Sequence, residues 1–152
     1  MEKELTHFFN TSLTNALRNL KEDSKAKWGT MTAKQMLIHL IQSSKMMHFG
    51  NNTLLIKEEY VEKAIAFLYS DKAIKKGLVV PNDIGFNFTN NNEDIEELKA
   101  ELINSSNNML AFLIENTEFK AIHPFFGELT AAQWSIFQRK HYIHHLSQFG
   151  LL

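Results

Sequence analysis

The chain has 152 residues, 44% of them hydrophobic and 22% charged, which is enough apolar material for one core and far from the composition of a disordered segment. Sixteen basic residues against seventeen acidic ones leave a formal net charge of -1, so no chain-wide field draws phosphate backbones or anionic lipid, and neither nucleic acid nor a membrane is an expected partner. There is no cysteine, which excludes disulfides, thiolate metal sites and thiol nucleophiles and leaves any metal to nitrogen or oxygen ligands.

No stretch approaches the roughly 18 apolar residues of a membrane span, and MEKELTHFF is charged from its second residue, so the cytoplasm is the expected location. From Leu5 the apolar positions Phe8, Phe9, Leu13, Ala16, Leu17 and Leu20 recur at three and four residues, the stripe of a first helix. The second helix starts at Thr32, with Gln35 completing a capping box and Met31 and Met36 in the staple positions. Tyr60, Val61, Ala64, Ile65, Phe67 and Leu68 predict a further helix from about Lys57 to Lys76, closed by Gly77. Leu78 to Asn92, with Pro81, Gly85 and a run of asparagines, has no sustained period and is long for a connection, which marks it as a candidate functional loop.

Ile95, Leu98, Leu102, Met109, Leu110 and Leu113 predict a long amphipathic helix with Glu93, Asp94, Glu96 and Glu97 at its positive end. The last helix opens with a second capping box, Thr130 and Gln133, between the staple residues Leu129 and Trp134. These elements predict a single all-α domain over residues 1–152. It is an up-and-down four-helix bundle with an extra helix and a long loop between helices two and three.

Seven histidines are present, three of them within His141-Tyr142-Ile143-His144-His145. On a helix, residues four apart lie about 40° apart around the axis and one turn apart along it, so His141 and His145 can reach one ion. Adjacent residues diverge by about 100°, which makes His144 a flank residue first, a supporting group second and an i+3 partner for His141 last. A bundle site draws its remaining ligands from a facing helix, and His39, at the edge of the Leu37, Leu40 and Ile41 stripe, is the best candidate. A histidine pair at this spacing is nevertheless more often exposed or hydrogen-bonded than metallated. The zinc-peptidase signature is absent, because Tyr142 stands where that chemistry needs a glutamate.

The segments WGTMTAKQMLIHL, from Trp28 to Leu40, and HPFFGELTAAQWSIFQRKHYIHHLSQFGL, from His123 to Leu151, resemble the DinB/YfiT-like superfamily, and within it a branch of uncharacterised bacterial proteins. The resemblance spans both ends of the chain; residues 51–92 match only loosely. It implies a four-helix bundle of DinB/YfiT-like type and a metal held by one histidine of the second helix and a pair four apart on the last, positions that fall on His39, His141 and His145. It further implies nickel or zinc as the ion, open coordination positions, and a homodimer. Members of known activity are thiol-dependent S-transferases and isomerases acting with small bacterial thiols.

Three neutral imidazoles leave zinc or nickel coordinatively unsaturated, so the ion can act as a Lewis acid on water or on a substrate thiol. The expected function is thus a metal-dependent hydrolase or thiol S-transferase acting on a small molecule, with a low-molecular-weight thiol as one candidate. The alternative is a non-catalytic metal- or ligand-binding, stress-associated protein, and a third reading keeps the histidines as packing groups without metal.

Other residues are weighed against this site. His123, before Pro124, either borders the pocket or belongs to a proline-restrained turn, with the turn slightly favoured. Glu128 is a candidate proton acceptor or orienting group, although a solvated acid near a helix start is commoner. Gln148, on the His141 stripe, either supports a ligand or packs on a neighbouring helix. Gln35, one turn before His39, and Trp134, on the His141 stripe, are further candidates for lining the pocket. Trp28 anchors the approach to helix two or roofs the pocket, while His7 and His48 read as surface residues. Lys72, Lys75 and Lys76 cluster near a predicted helix end, whose negative dipole accounts for them without a partner.

Overall fold

The computed structural model describes residues 2–48, 53–78 and 92–152, so nearly all of the candidate loop between Leu78 and Asn92 lies outside the described residues. The first stripe forms one continuous helix in three parts: α1 (Glu2–His7), a π turn (Phe8–Ser12) and α2 (Leu13–Leu17). In the π turn the Leu13 N–H reaches back five residues to the Phe8 carbonyl, and the successive residues Phe8 and Phe9 are both buried. Phe9 meets the ring of Tyr142 edge-on at 5.3 Å, and the Tyr142 hydroxyl donates to the Leu40 carbonyl at 3.4 Å.

The helix α3 (Ala33–Lys45) begins as its capping box predicts: Thr32 Oγ1 accepts from the Gln35 N–H at 3.2 Å and Gln35 Oε1 accepts from the Thr32 N–H at 2.9 Å. The long helix α5 (Ile95–Glu115) lies along α3 and starts from Asp94, whose carboxylate accepts from the Glu96 N–H. The last helix, α6 (Ala131–Gln148), repeats the box with Thr130 and Gln133, and the staple pair Leu129 and Trp134 is fully buried. These helices share one core, centred on Leu37, Leu40, Leu98, Leu102 and Leu146.

Two expectations need correction. The helix expected over Lys57 to Lys76 is a 3-10 turn (Glu58–Tyr60) followed by the short α4 (Val61–Leu68). Ser70 ends it locally, because its hydroxyl donates to the Phe67 carbonyl at 2.8 Å and accepts from the Lys72 N–H at 3.3 Å, offering the backbone a turn in place of a helix. Most of residues 69–78 are exposed, so little burial opposes that choice.

The fold is also not an all-α four-helix bundle. Between α5 and α6 the chain forms an antiparallel hairpin, β1 (Lys120–His123) with β2 (Gly127–Thr130), in the register Ala121 opposite Leu129 and His123 opposite Gly127. Pro124 cannot continue the ladder as a donor, and Gly127, at φ +73°, supplies the left-handed residue that closes a three-residue loop. The architecture is therefore helices plus a two-stranded antiparallel sheet. Among the described residues, no helix is long and apolar enough to cross a membrane.

Candidate metal centre

The packing of α3 against α6 brings His39 to the histidine pair. His39 Nε2 lies 2.8 Å from His141 Nε2, and His145 Nε2 lies 3.1 Å from the same atom. One ligand atom from each ring falls within 4.8 Å of the others, so the three residues could hold a metal ion. His39 and His145 are buried and His141 is partly buried.

The hydrogen bonds behind the rings fix two tautomers. Gln138 Nε2 donates to the Ser43 carbonyl at 2.7 Å, and since a carbonyl only accepts, the Gln138 amide oxygen must face the Ser43 hydroxyl, which donates to it at 3.2 Å. With its hydrogen committed there, Ser43 Oγ can only accept from His141 Nδ1, 3.0 Å away. On the other side, Gln148 Nε2 donates to the Trp28 carbonyl at 2.9 Å, so Gln148 Oε1 accepts from His145 Nδ1 at 3.0 Å. Both rings thus carry their proton on Nδ1 and present a bare Nε2 lone pair to the common centre. Two such lone pairs 3.1 Å apart repel unless positive charge, a cation or a proton carried on His39 Nε2 at 2.8 Å from His141, is placed against them.

Burial keeps the imidazoles neutral. It pushes His39 down to about 3, with the His145 and His144 charges acting the same way, and His145 down to about 4, with the Gln148 hydrogen bond opposing. His141 is driven well below its ordinary value, first by burial and then by the surrounding imidazoles. At neutral pH all three rings are in the form that ligates metal.

Gln148 supports His145, and it does so as an acceptor. His144 turns its edge to Trp28 at 6.0 Å and to His145 at 4.9 Å and does not join the cluster; burial lowers its pKa, against a hydrogen bond with the Ile74 backbone. Gln35 is occupied in the capping box, and Trp134 is buried in the core with its indole N–H donating to the Ala121 carbonyl. Glu128 stands exposed on β2, opposite Ile122, with a carboxylate oxygen 3.7 Å from Lys120 Nζ across the hairpin, a solvated acid. His48 is exposed, yet its ring meets Phe112 at 4.7 Å.

His123 is not a turn residue but the inward-facing end of β1, only 3% exposed. Its ring lies 4.2 Å from Phe137, which stacks on His141 at 5.4 Å, so it forms the wall behind the cluster. His123 Nδ1 accepts from the Phe125 N–H at 3.1 Å, which puts the ring proton on Nε2, an atom without a partner among the described residues. Burial alone lowers its pKa to about 3.

The sequence places Ser43 one turn from His39, on a mixed surface that suits a polar pocket, but assigns it no role, and it does not single out Gln138, one turn from His141. Both are fully buried, and a polar residue one turn from each candidate ligand was the available signal.

A helical domain with a hairpin, in which imidazoles from two helices converge on one point, defines a class of candidate metal-binding proteins. The chain belongs to the family described as Protein of unknown function (DUF1569), whose model matches residues 2–150. Comparison with curated proteins and with solved structures gives no match.

Proposed function

We propose that His39, His141 and His145 hold one divalent cation, zinc or nickel, through Nε2, and that the protein is a metal-dependent enzyme of the hydrolase or thiol S-transferase class. One observation carries this reading: Ser43 and Gln148 commit the Nδ1 protons of His141 and His145, so two bare lone pairs face each other across a buried centre. A pair of packing histidines would settle that contact with a hydrogen bond between the rings, one donor and one acceptor, and neither His141 nor His145 has an Nε2 proton to give; a proton on His39 Nε2 would serve the His39–His141 contact and leave the His141–His145 contact without a donor.

An ion bound by three imidazoles has positions left for other donors and supplies Lewis acidity to a water or a small thiol. The chain's own residues keep the ligands neutral, fix their tautomers and exclude water from their back faces. The DinB/YfiT-like relationship read from the two histidine segments supports the same donor set and the same reaction classes. Under this reading the partner is a small molecule, a low-molecular-weight thiol being the first to test, the protein is cytoplasmic, and the expected assembly is a homodimer.

A second reading has its own support. The side chains that hydrogen-bond to His141 and His145 are the neutral Ser43 and Gln148, and Glu128 stands away from them, which suits a non-catalytic metal- or ligand-binding, stress-associated protein.

The test is elemental analysis of protein purified without an affinity tag, alongside His39→Ala, His141→Ala and His145→Ala. Near-stoichiometric zinc or nickel in the parent and loss in each variant is expected; undiminished metal in all three ends the assignment. Comparing metal-loaded with chelator-treated protein on simple esters, amides and thiol cosubstrates then separates the two readings, because only the enzymatic one gives turnover that follows the metal.

A further inference from the structure

The helix α6 has a second working face. Opposite the His141 and His145 stripe, Ile136, Arg139, Lys140, Ile143 and Ser147 share one face of the helix, and they form one wall of a cleft of about 410 Å³. The other wall is the end of α4 and the chain after it, from Leu68 to Lys76, and Trp28 and His144 also line the cleft. This volume is in the range of small-molecule sites.

The charges of this cleft are one-sided. Lys72, Lys76, Arg139 and Lys140 line it against a single carboxylate, Asp71, in a chain whose net charge is only -1. Among the described residues none of these four cations makes an ion pair; the pairs lie elsewhere, as in Lys34 with Glu22 and Lys45 with Glu101. Three of the four are held in place, Arg139 by the Phe8 ring, whose centroid lies 5.7 Å from the guanidinium carbon. Lys140 Nζ donates to the Ser70 carbonyl at 2.8 Å and the Lys72 carbonyl at 2.6 Å and lies 4.7 Å from the centroid of the Phe67 ring, which leaves one of its three protons without a polar acceptor. Lys76 Nζ lies 4.3 Å from the centroid of the Trp28 ring. The helix-dipole account of the lysines fails here, because α4 ends at Leu68 and they follow it in exposed chain.

Gathering like charges around a concavity is unfavourable unless something of opposite sign offsets it, and the apolar wall of Ile136, Ile143 and the Trp28 indole calls for more than a bare ion. We propose that this cleft binds a small organic anion with a flat apolar body, an aromatic carboxylate or phosphate ester. The charged group meets Lys72, Arg139 and the spare Lys140 proton, and the ring lies toward Trp28. His144 lines the cleft on the side of the histidine cluster, its ring 4.9 Å from that of His145, but His39, His141 and His145 do not line it, and the anion site does not depend on a metal being held there.

Protein-observed NMR tests it through the two indole N–H signals, those of Trp28 and Trp134. The probes are phenyl phosphate, benzoate, inorganic phosphate and phenol. A saturable shift of the Trp28 signal with phenyl phosphate or benzoate, and little movement of the buried Trp134, is expected; the tighter of the two identifies the headgroup. Inorganic phosphate and phenol should each bind about tenfold more weakly, and Lys72→Gln with Arg139→Gln, both at exposed positions, should weaken binding by about tenfold while circular dichroism stays that of the folded protein. No saturable shift with either aromatic anion, equal binding of inorganic phosphate, or indifference to the double variant overturns the proposal. So does loss of binding in His141→Ala, which would place the anion at the histidines, whereas retention there assigns it to the cleft.

Discussion

Replacing His123 by Phe isolates one buried imidazole that lies outside the metal cluster. The folded ring resists protonation down to about 3, against an ordinary value of 6.5 in the unfolded chain. The unfolded state therefore binds the extra proton first, so this residue's share of stability is complete above about pH 6.5 and is lost as the pH falls toward about 3. Each pH unit in that window costs about 1.4 kcal/mol, so going from neutrality to about pH 5 removes about 2 kcal/mol through this one group. A phenyl ring in its place would have no proton to gain. At neutral pH the variant loses the hydrogen bond from the Phe125 N–H but also removes the unpartnered Nε2–H from an aromatic surround, two effects of about 1 kcal/mol that oppose each other. Urea unfolding of both proteins at about pH 7 and about pH 5 measures the difference. Relative to the parent, the variant should be more stable at the lower pH by about 2 kcal/mol than at the higher. An equal difference at the two pH values would refute the claim that burial holds this ring neutral.

Two further outcomes are expected. Gln148→Leu and Ser43→Ala, which free the Nδ1 protons of His145 and His141, should each weaken metal binding by about 10- to 100-fold in a competition assay with a chromophoric chelator, while circular dichroism stays that of a folded helical protein. Gly127→Ala should destabilise the protein by about 1–3 kcal/mol in thermal unfolding, since a Cβ at φ +73° is strained and would sit 2.8 Å from Val61 Cγ1.

What was legible in the sequence is what local chemistry decides. Thr32 with Gln35 and Thr130 with Gln133 form their boxes from residues three apart, and both helices start where these pairs put them. The pairing of His141 with His145 is a matter of helical pitch, and His39 joined them because its place beside Leu40 and Ile41 set the face it presents. The hairpin was illegible because four-residue strands give too few alternations to register, and because Pro124 and Gly127 mark a turn without saying what flanks it. The early end of α4 depended on Ser70, whose hydroxyl outweighed an apolar spacing that continued only weakly beyond it. Ser43 and Gln138 serve each other from positions 95 residues apart, a relation that no local pattern encodes. The cleft was missed for the same reason, since Lys72 and Arg139 meet only after α6 and the chain following α4 have packed.

Tyr142, held between the Phe9 ring of the π turn and the Leu40 carbonyl, acts as a pin through the last helix. Its neighbour in sequence is His141, so the rotational setting of that imidazole is decided by an aromatic contact made with the opening segment of the chain. The work of assembling the three nitrogen donors is in this way done during folding, and a cation that arrives finds them gathered and has little disorder left to remove.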